Sequence, residues 1–125
     1  MKPFIDANVI INLFTDNEDI EKCRKVLYEE FVTNALCLVE AQDGISLIKN
    51  DKNYASRCIK SLFKRNVKIV ELDKNLLFEA FRRIEKYDLD IFDLINYVTA
   101  LINNSSEFVS YDRHFDDLEI KRVEP

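Results

Sequence analysis

The chain has 125 residues, which suffices for one compact domain and leaves no room for a second. Hydrophobic residues make up 47% of it and charged ones 33%, so a core and an ordinary polar surface are both available; no apolar run approaches the roughly 18 residues of a membrane-spanning helix. The formal charge of -5 argues against a general affinity for phosphate chains, because such affinity comes mainly from Lys and Arg.

Met1 to Asn8 carries one Lys and reaches an acid at Asp6, too short an apolar stretch for a secretory leader, so the chain is expected to stay in the cytosol. Pro3-Phe4-Ile5 reads as a short strand ending at Asp6. The apolar residues from Val9 to Phe14 stop at Thr15-Asp16-Asn17, a helix-start signal with Asp16 as the expected N-cap. Ile20, Cys23, Val26 and Leu27 then recur at helical spacing. Phe31-Val32-Thr33 reads as a second strand, with Asn34 capping a helix over Ala35–Ala41. Further helices are expected around Ile45–Lys49 and Tyr54–Lys64.

Val67–Leu72 shows β-branched alternation, and Asp73 opens a helix carrying Leu76, Leu77, Ala80, Phe81 and Ile84. A helix from about Ile91 to Asn103 follows, ended by Asn103-Asn104-Ser105-Ser106. Phe108–Tyr111 and Ile120–Val123 read as the last strands. With one Gly and two Pro there is little hairpin punctuation. Strands that alternate with helices imply an α/β fold: a mainly parallel sheet with helices on both faces.

Cys23, Cys37 and Cys58 are odd in number and widely spaced, and His114 is the one imidazole. This composition argues against a disulfide framework, a structural zinc site and Cys-His catalysis, and leaves the thiols as core residues. His114 reads as a loop or surface residue.

Acids are the remaining candidates. In an open α/β sheet, functional groups gather beyond the carboxyl ends of the strands, near the point where strand order reverses. Asp6 and Asp112 both follow strands, although a strand-end Asp is also a common turn residue. Glu40 sits within Leu36–Ala41, and Asp93 within Leu89–Ile95, both strongly apolar surroundings. Buried carboxylates are costly unless partnered, and no basic residue stands beside either one. The alternatives are the polar stripe of an amphipathic helix for both, and a cap for Asp93, for which Asp90 is the better placed. A divalent cation would keep several such acids ionised together, and an oxygen-only donor set indicates Mg²⁺ or Mn²⁺.

Phe4-Ile5-Asp6-Ala7-Asn8-Val9-Ile10-Ile11 resembles the opening motif of the PIN domain family, an apolar strand followed by Asp-x-Asn/Ser. Leu38-Val39-Glu40 is similar to its second acid and Asp93-Leu94-Ile95 to its third. Val109–Asp116 resembles the closing Thr/Ser-x-Asp-x-x-Phe. The resemblance implies a three-layer α/β/α sandwich and metal-dependent endoribonuclease activity, often that of VapC-type toxins held inactive by a small antitoxin, and frequently a homodimer. It assigns Asp6, Glu40, Asp93 and Asp112 to the catalytic metal site, Asn8 and Ser110 to supporting polar positions, and Asp116 to an accessory one. Asn96 and Tyr97 stand where the family often has small residues.

The four acids account for four of the five net negative charges, so the rest of the surface is close to neutral. Lys60, Lys64, Arg65 and Lys68 form one basic group, and Arg82, Arg83 and Lys86 another; either is a candidate to guide an RNA backbone. Two other functions fit parts of the pattern. A Mg²⁺-dependent phosphatase using Asp6 as nucleophile would be expected to carry a second Asp where Asn8 stands. A PIN-like binding module without turnover would be expected to lose acids.

Overall fold

The computed structural model describes residues 1–125. Five strands form one parallel sheet: β1 (Phe4–Ile5), β2 (Phe31–Asn34), β3 (Val67–Val70), β4 (Phe108–Val109) and β5 (Arg122–Val123). Their spatial order is β3-β2-β1-β4-β5, with Phe4 opposite both Val32 and Phe108. The chain therefore builds outward from β1 in one direction, then returns to build outward in the other. Strand order reverses between β1 and β4.

Six helices cover the sheet: α1 (Ala7–Leu13), α2 (Ile20–Tyr28), α3 (Ala35–Lys49), α4 (Lys52–Leu62), α5 (Lys74–Phe81) and α6 (Ile91–Ile102). α1 packs against α2 and α3, and α3 against α4, whereas α5 packs against α6. The result is the expected three-layer α/β/α sandwich. No helix is long and apolar enough to cross a membrane.

Local chemistry explains most element starts. Asn34, Asp51, Asp73 and Asp90 each accept a backbone N–H three residues on, from Cys37, Tyr54, Leu76 and Asp93 respectively. Asp16 does not act as a cap. Asn17 instead ties the turn together by bonding the carbonyls of Asn12 and Thr15 and accepting from the Asp19 amide, so α2 begins three residues later than the polar cluster suggests. Asp16 is ion-paired with Lys49. The apolar run before it forms α1. The separate helices expected over Ala35–Ala41 and Ile45–Lys49 are one continuous helix, α3. Gly44 lies inside it where α1 comes close: a Cβ there would stand 2.4 Å from the Ile11 side chain. The helix end near Ile84 also moves, since α5 stops at Phe81 and turns follow.

β1, β2 and β4 are buried along their length, which accounts for the apolar pairs Phe4-Ile5, Phe31-Val32 and Phe108-Val109. The buried Thr33 and Asn34 that end β2 are hydrogen-bonded instead, Thr33 to the Ile5 carbonyl and Asn34 to Asn96 and Thr99. Phe108 is the centre of an aromatic cluster. Its ring lies 4.9 Å from that of Phe4, 4.2 Å from Phe115 and 5.8 Å from Tyr97. Tyr97, one of the two bulky residues after Asp93, is fully buried, and its hydroxyl accepts from the Ile120 amide at 2.8 Å. The cluster thus fastens α6 and the segment after β4 beneath the end of the sheet. Phe108→Ala should cost about 3–5 kcal/mol, because no neighbour can close the gap between three rings. Urea unfolding reads this as a lower midpoint with an unchanged slope.

Candidate metal centre

Asp6 leaves β1 at the reversal of strand order and is only 6% exposed. Its amide donates to the Val109 carbonyl, which continues the β1–β4 pairing by one step. Asp6 Oδ1 accepts from the Ala7 amide at 2.8 Å, and Oδ2 from the Ser110 hydroxyl at 2.7 Å. The Asn8 amide donates to Ser110 Oγ at 3.0 Å, while its oxygen accepts from the Tyr111 amide. Ser110 Oγ also accepts from the Asp112 amide at 3.0 Å. Asn8 and Ser110 therefore lock the two strand ends together and hold Asp6 between them. Cys37, fully buried, places Sγ 3.8 Å from Asp6 Oδ1. Burial pushes its thiol pKa well up, so it meets the carboxyl as a proton donor.

Asp6, Glu40, Asp93 and Asp112 all line one pocket of about 380 Å³. They come from four separate elements: the end of β1, the middle of α3, the first turn of α6 and the segment after β4. Asp90 caps α6, which leaves the Asp93 carboxylate to face the pocket. Glu40 accepts from the Asn96 amide at 3.3 Å. Asp112 accepts from the His114 amide and starts the short 3-10 turn Arg113–Phe115.

The acids disturb one another. Burial carries the Asp6 carboxyl up to about 6, and the charges of Glu40 and Asp112 add to it against the hydrogen bonds from Ser110 and Ala7. Asp93 is likewise raised to about 6, first by burial and then by the charges of Asp90, Asp112 and Asp6. Glu40 is raised by burial, an effect opposed by Asn96. No Lys or Arg forms an ion pair with any of the four; the one cationic candidate beside them is His114. Carboxylates gathered without counter-charge suit a hard divalent cation, and their donor atoms are the oxygens such an ion prefers.

Two residues join the expected acids at the site, one inside the pocket and one beside it. Asp43 lines the same pocket, one turn beyond Glu40 on α3, and its i+3 spacing was the available signal. His114 is 75% exposed, as a loop residue should be, yet its Nδ1 lies 3.3 Å from Asp112 and 3.6 Å from Asp93. Asp93, Asp112 and His114 form a group whose potential ligand atoms lie within 4.8 Å of one another. Asp116 lies outside the pocket and is ion-paired with Arg122 and Arg113, where it braces the turn. No member of either basic group lines the acidic pocket. Arg82 and Arg83 pair with Glu79 and Lys86 with Glu119, while Lys64 and Arg65 precede β3, at the opposite end of the sheet.

A family model described as the PIN domain matches residues 4–121. Among solved structures, the chain is similar to VapC20 of Mycobacterium tuberculosis, described as a sarcin-ricin loop cleaving toxin, with a TM-score of 0.82 at 11% identity over 99% of this chain and 100% of that one. It is similar to a toxin–antitoxin complex from Klebsiella pneumoniae, at 0.77 and 15% over 98% and 96%. VapBC2 of Rickettsia felis, bound to a DNA fragment from its promoter, follows at 0.72 and 13% over 100% and 99%. No curated protein matches the sequence.

Without metal, the ionised Asp6 should weaken the fold. A raised folded-state pKa means that the unfolded chain loses its proton first, so this penalty is absent below the ordinary value of 3.8 and complete once pH passes about 6. In a chelator at pH 7.5, Asp6→Asn should therefore be more stable than wild type by roughly 1–3 kcal/mol, an advantage that disappears towards pH 4. Paired thermal melts across that range check both sign and window.

Proposed function

Because the chain belongs to the PIN domain family, we propose that this protein is a divalent-metal-dependent endoribonuclease and the toxin of a toxin–antitoxin pair. The observation that carries the reading is the convergence of four carboxylates from four elements in one pocket, none of them neutralised by Lys or Arg. Asp6, Glu40, Asp93 and Asp112 would hold Mg²⁺ or Mn²⁺. Such an ion, when bound, acidifies a water that can attack a phosphodiester and stabilises the leaving oxygen.

The chain's own residues supply position. Asp6 and Asp112 sit on strand ends fixed by the shared Ser110 hydroxyl, which makes them the principal ligands. Asn8 holds Ser110 in place from the opposite side. Glu40 and Asp93 complete the shell from helices on the two sides of the pocket. A phosphatase finds less support, because the position two residues after Asp6 is an amide committed to Ser110 and the Tyr111 backbone.

A cytosolic RNA is the substrate in this reading. The partners are a small antitoxin and a second copy of the chain. Support comes from the toxin–antitoxin assemblies among the similar structures and from the large apolar side chains left exposed on α5 and beyond, such as Phe78, Phe81 and Ile84.

Purified protein should cleave a mixed RNA only when Mn²⁺ or Mg²⁺ is present. Removal of a ligand should cost more than the roughly 10–100-fold typical of an outer hydrogen-bond partner, so Asp6→Asn and Asp112→Asn should each lose at least about 100-fold in rate. Equal cleavage by wild type and Asp6→Asn, or cleavage indifferent to a chelator, would sink the proposal. Hydrolysis of a small phosphomonoester without cleavage of RNA would assign the site to the phosphatase class.

A further inference from the structure

Asn96 stands one helical turn after Asp93 on α6, buried to 1% exposure where it meets α3. What it touches fixes the orientation of its amide. Asn96 Oδ1 accepts from Asn34 Nδ2 at 3.0 Å, so the Asn96 nitrogen is the group that faces Glu40 Oε1, at 3.3 Å. Asn34 is itself oriented, since its Oδ1 accepts from the Cys37 amide at 2.8 Å as the cap of α3. Asn34 Nδ2 also donates to Thr99 Oγ1 at 2.9 Å, whose own proton goes to the Ile95 carbonyl at 2.8 Å.

Every member of this network has a direction. It starts from a backbone amide in the first turn of α3, passes through two buried side-chain amides, and ends with an N–H donor on Glu40. Turning either Asn amide over would set two donors or two acceptors against each other at buried atoms, which costs more than a lost exposed bond. Asn96 is the one side chain that donates a hydrogen bond to Glu40, and it leaves Oε2 uncommitted. The same contact ties α3 to α6, the two helices that bring Glu40 and Asp93 to the pocket.

We propose that Asn96 is a positioning residue for the cation: its amide clamps Glu40 Oε1 so that Glu40 Oε2 is presented to the ion beside Asp93. The proposal rests on the metal-dependent reading given above. It also explains why a polar side chain of this size stands where a small residue would otherwise fit. An alanine could not span the distance from Asn34 to Glu40, and an aspartate would oppose one carboxylate with another.

The test is Mn²⁺ affinity, measured by isothermal titration calorimetry on the full chain, with thermal melts in a chelator to establish that each variant is folded. Asn96→Ala opens a cavity and removes the donor; Asn96→Leu removes the donor while keeping the volume. Both should bind Mn²⁺ about 10–100-fold more weakly than wild type, and to a similar extent, as loss of an outer partner predicts. In a Glu40→Gln background neither should add more than about twofold, because the effect passes through Glu40. A packing role would instead spare Asn96→Leu and leave the losses additive, and that pattern overturns the proposal. So does wild-type affinity in both folded variants. A wild-type chain that takes up no Mn²⁺ overturns the metal reading and this inference together.

Discussion

Where β1 lies against β4, with Phe4 opposite Phe108 and Ile5 opposite Val109, the two strands leave the sheet side by side, and Asp6 emerges next to Ser110. Everything at the pocket depends on that pairing. These strands are neighbours in space but about a hundred positions apart in sequence, because β1 is the point from which the chain builds the sheet in both directions. Helices do not close over the gap where strand order reverses, so a pocket opens beyond the strand ends there. The aromatic cluster around Phe108 and the hydrogen bonds through Ser110 hold the crevice rigid from below.

Rigidity of this kind has an electrostatic cost. The Asp6 and Asp93 carboxyls are lifted to about 6 by burial and mutual repulsion, so at neutral pH the folded chain confines charge that water would solvate better. Hydrogen bonds from Ser110 and Ala7 offset part of this at Asp6, as the Asn96 amide does at Glu40, without supplying positive charge. An arrangement that concentrates negative charge and then withholds Lys and Arg is poor for stability and well suited to a divalent cation.

Much of this could be read along the chain. The apolar strands, their alternation with helices and the caps Asn34 and Asp73 follow from local pattern, and the structure has them in place. The Thr15–Asn17 turn departs from the cap pattern because Asn17 satisfies the backbone around it, which cap propensities do not register. Gly44 lies between two stretches that read as separate helices, and it marks close packing of α1 on α3, a tertiary effect with no local signature.

Within the pocket, the four acids were legible through motif and environment. Their supports were less so. Asn96 drew notice only as a bulky departure, since its partners Asn34 and Glu40 lie 62 and 56 positions away in sequence. His114 reads as a surface residue in one dimension and is one in three, but the turn after Asp112 aims its imidazole at two of the acids. Asp116 shows the reverse case, an acid inside the closing motif whose charge is taken up by Arg113 and Arg122.

Whether the four carboxylates enclose a cation can be read from anomalous scattering of crystals soaked in Mn²⁺. The expected result is a strong anomalous peak within coordination distance, about 2.0–2.4 Å, of oxygens from Asp6 and Asp112, with Glu40 and Asp93 contacting it directly or through water. A pocket that stays empty at saturating Mn²⁺, or a peak held only by surface acids elsewhere, would contradict it.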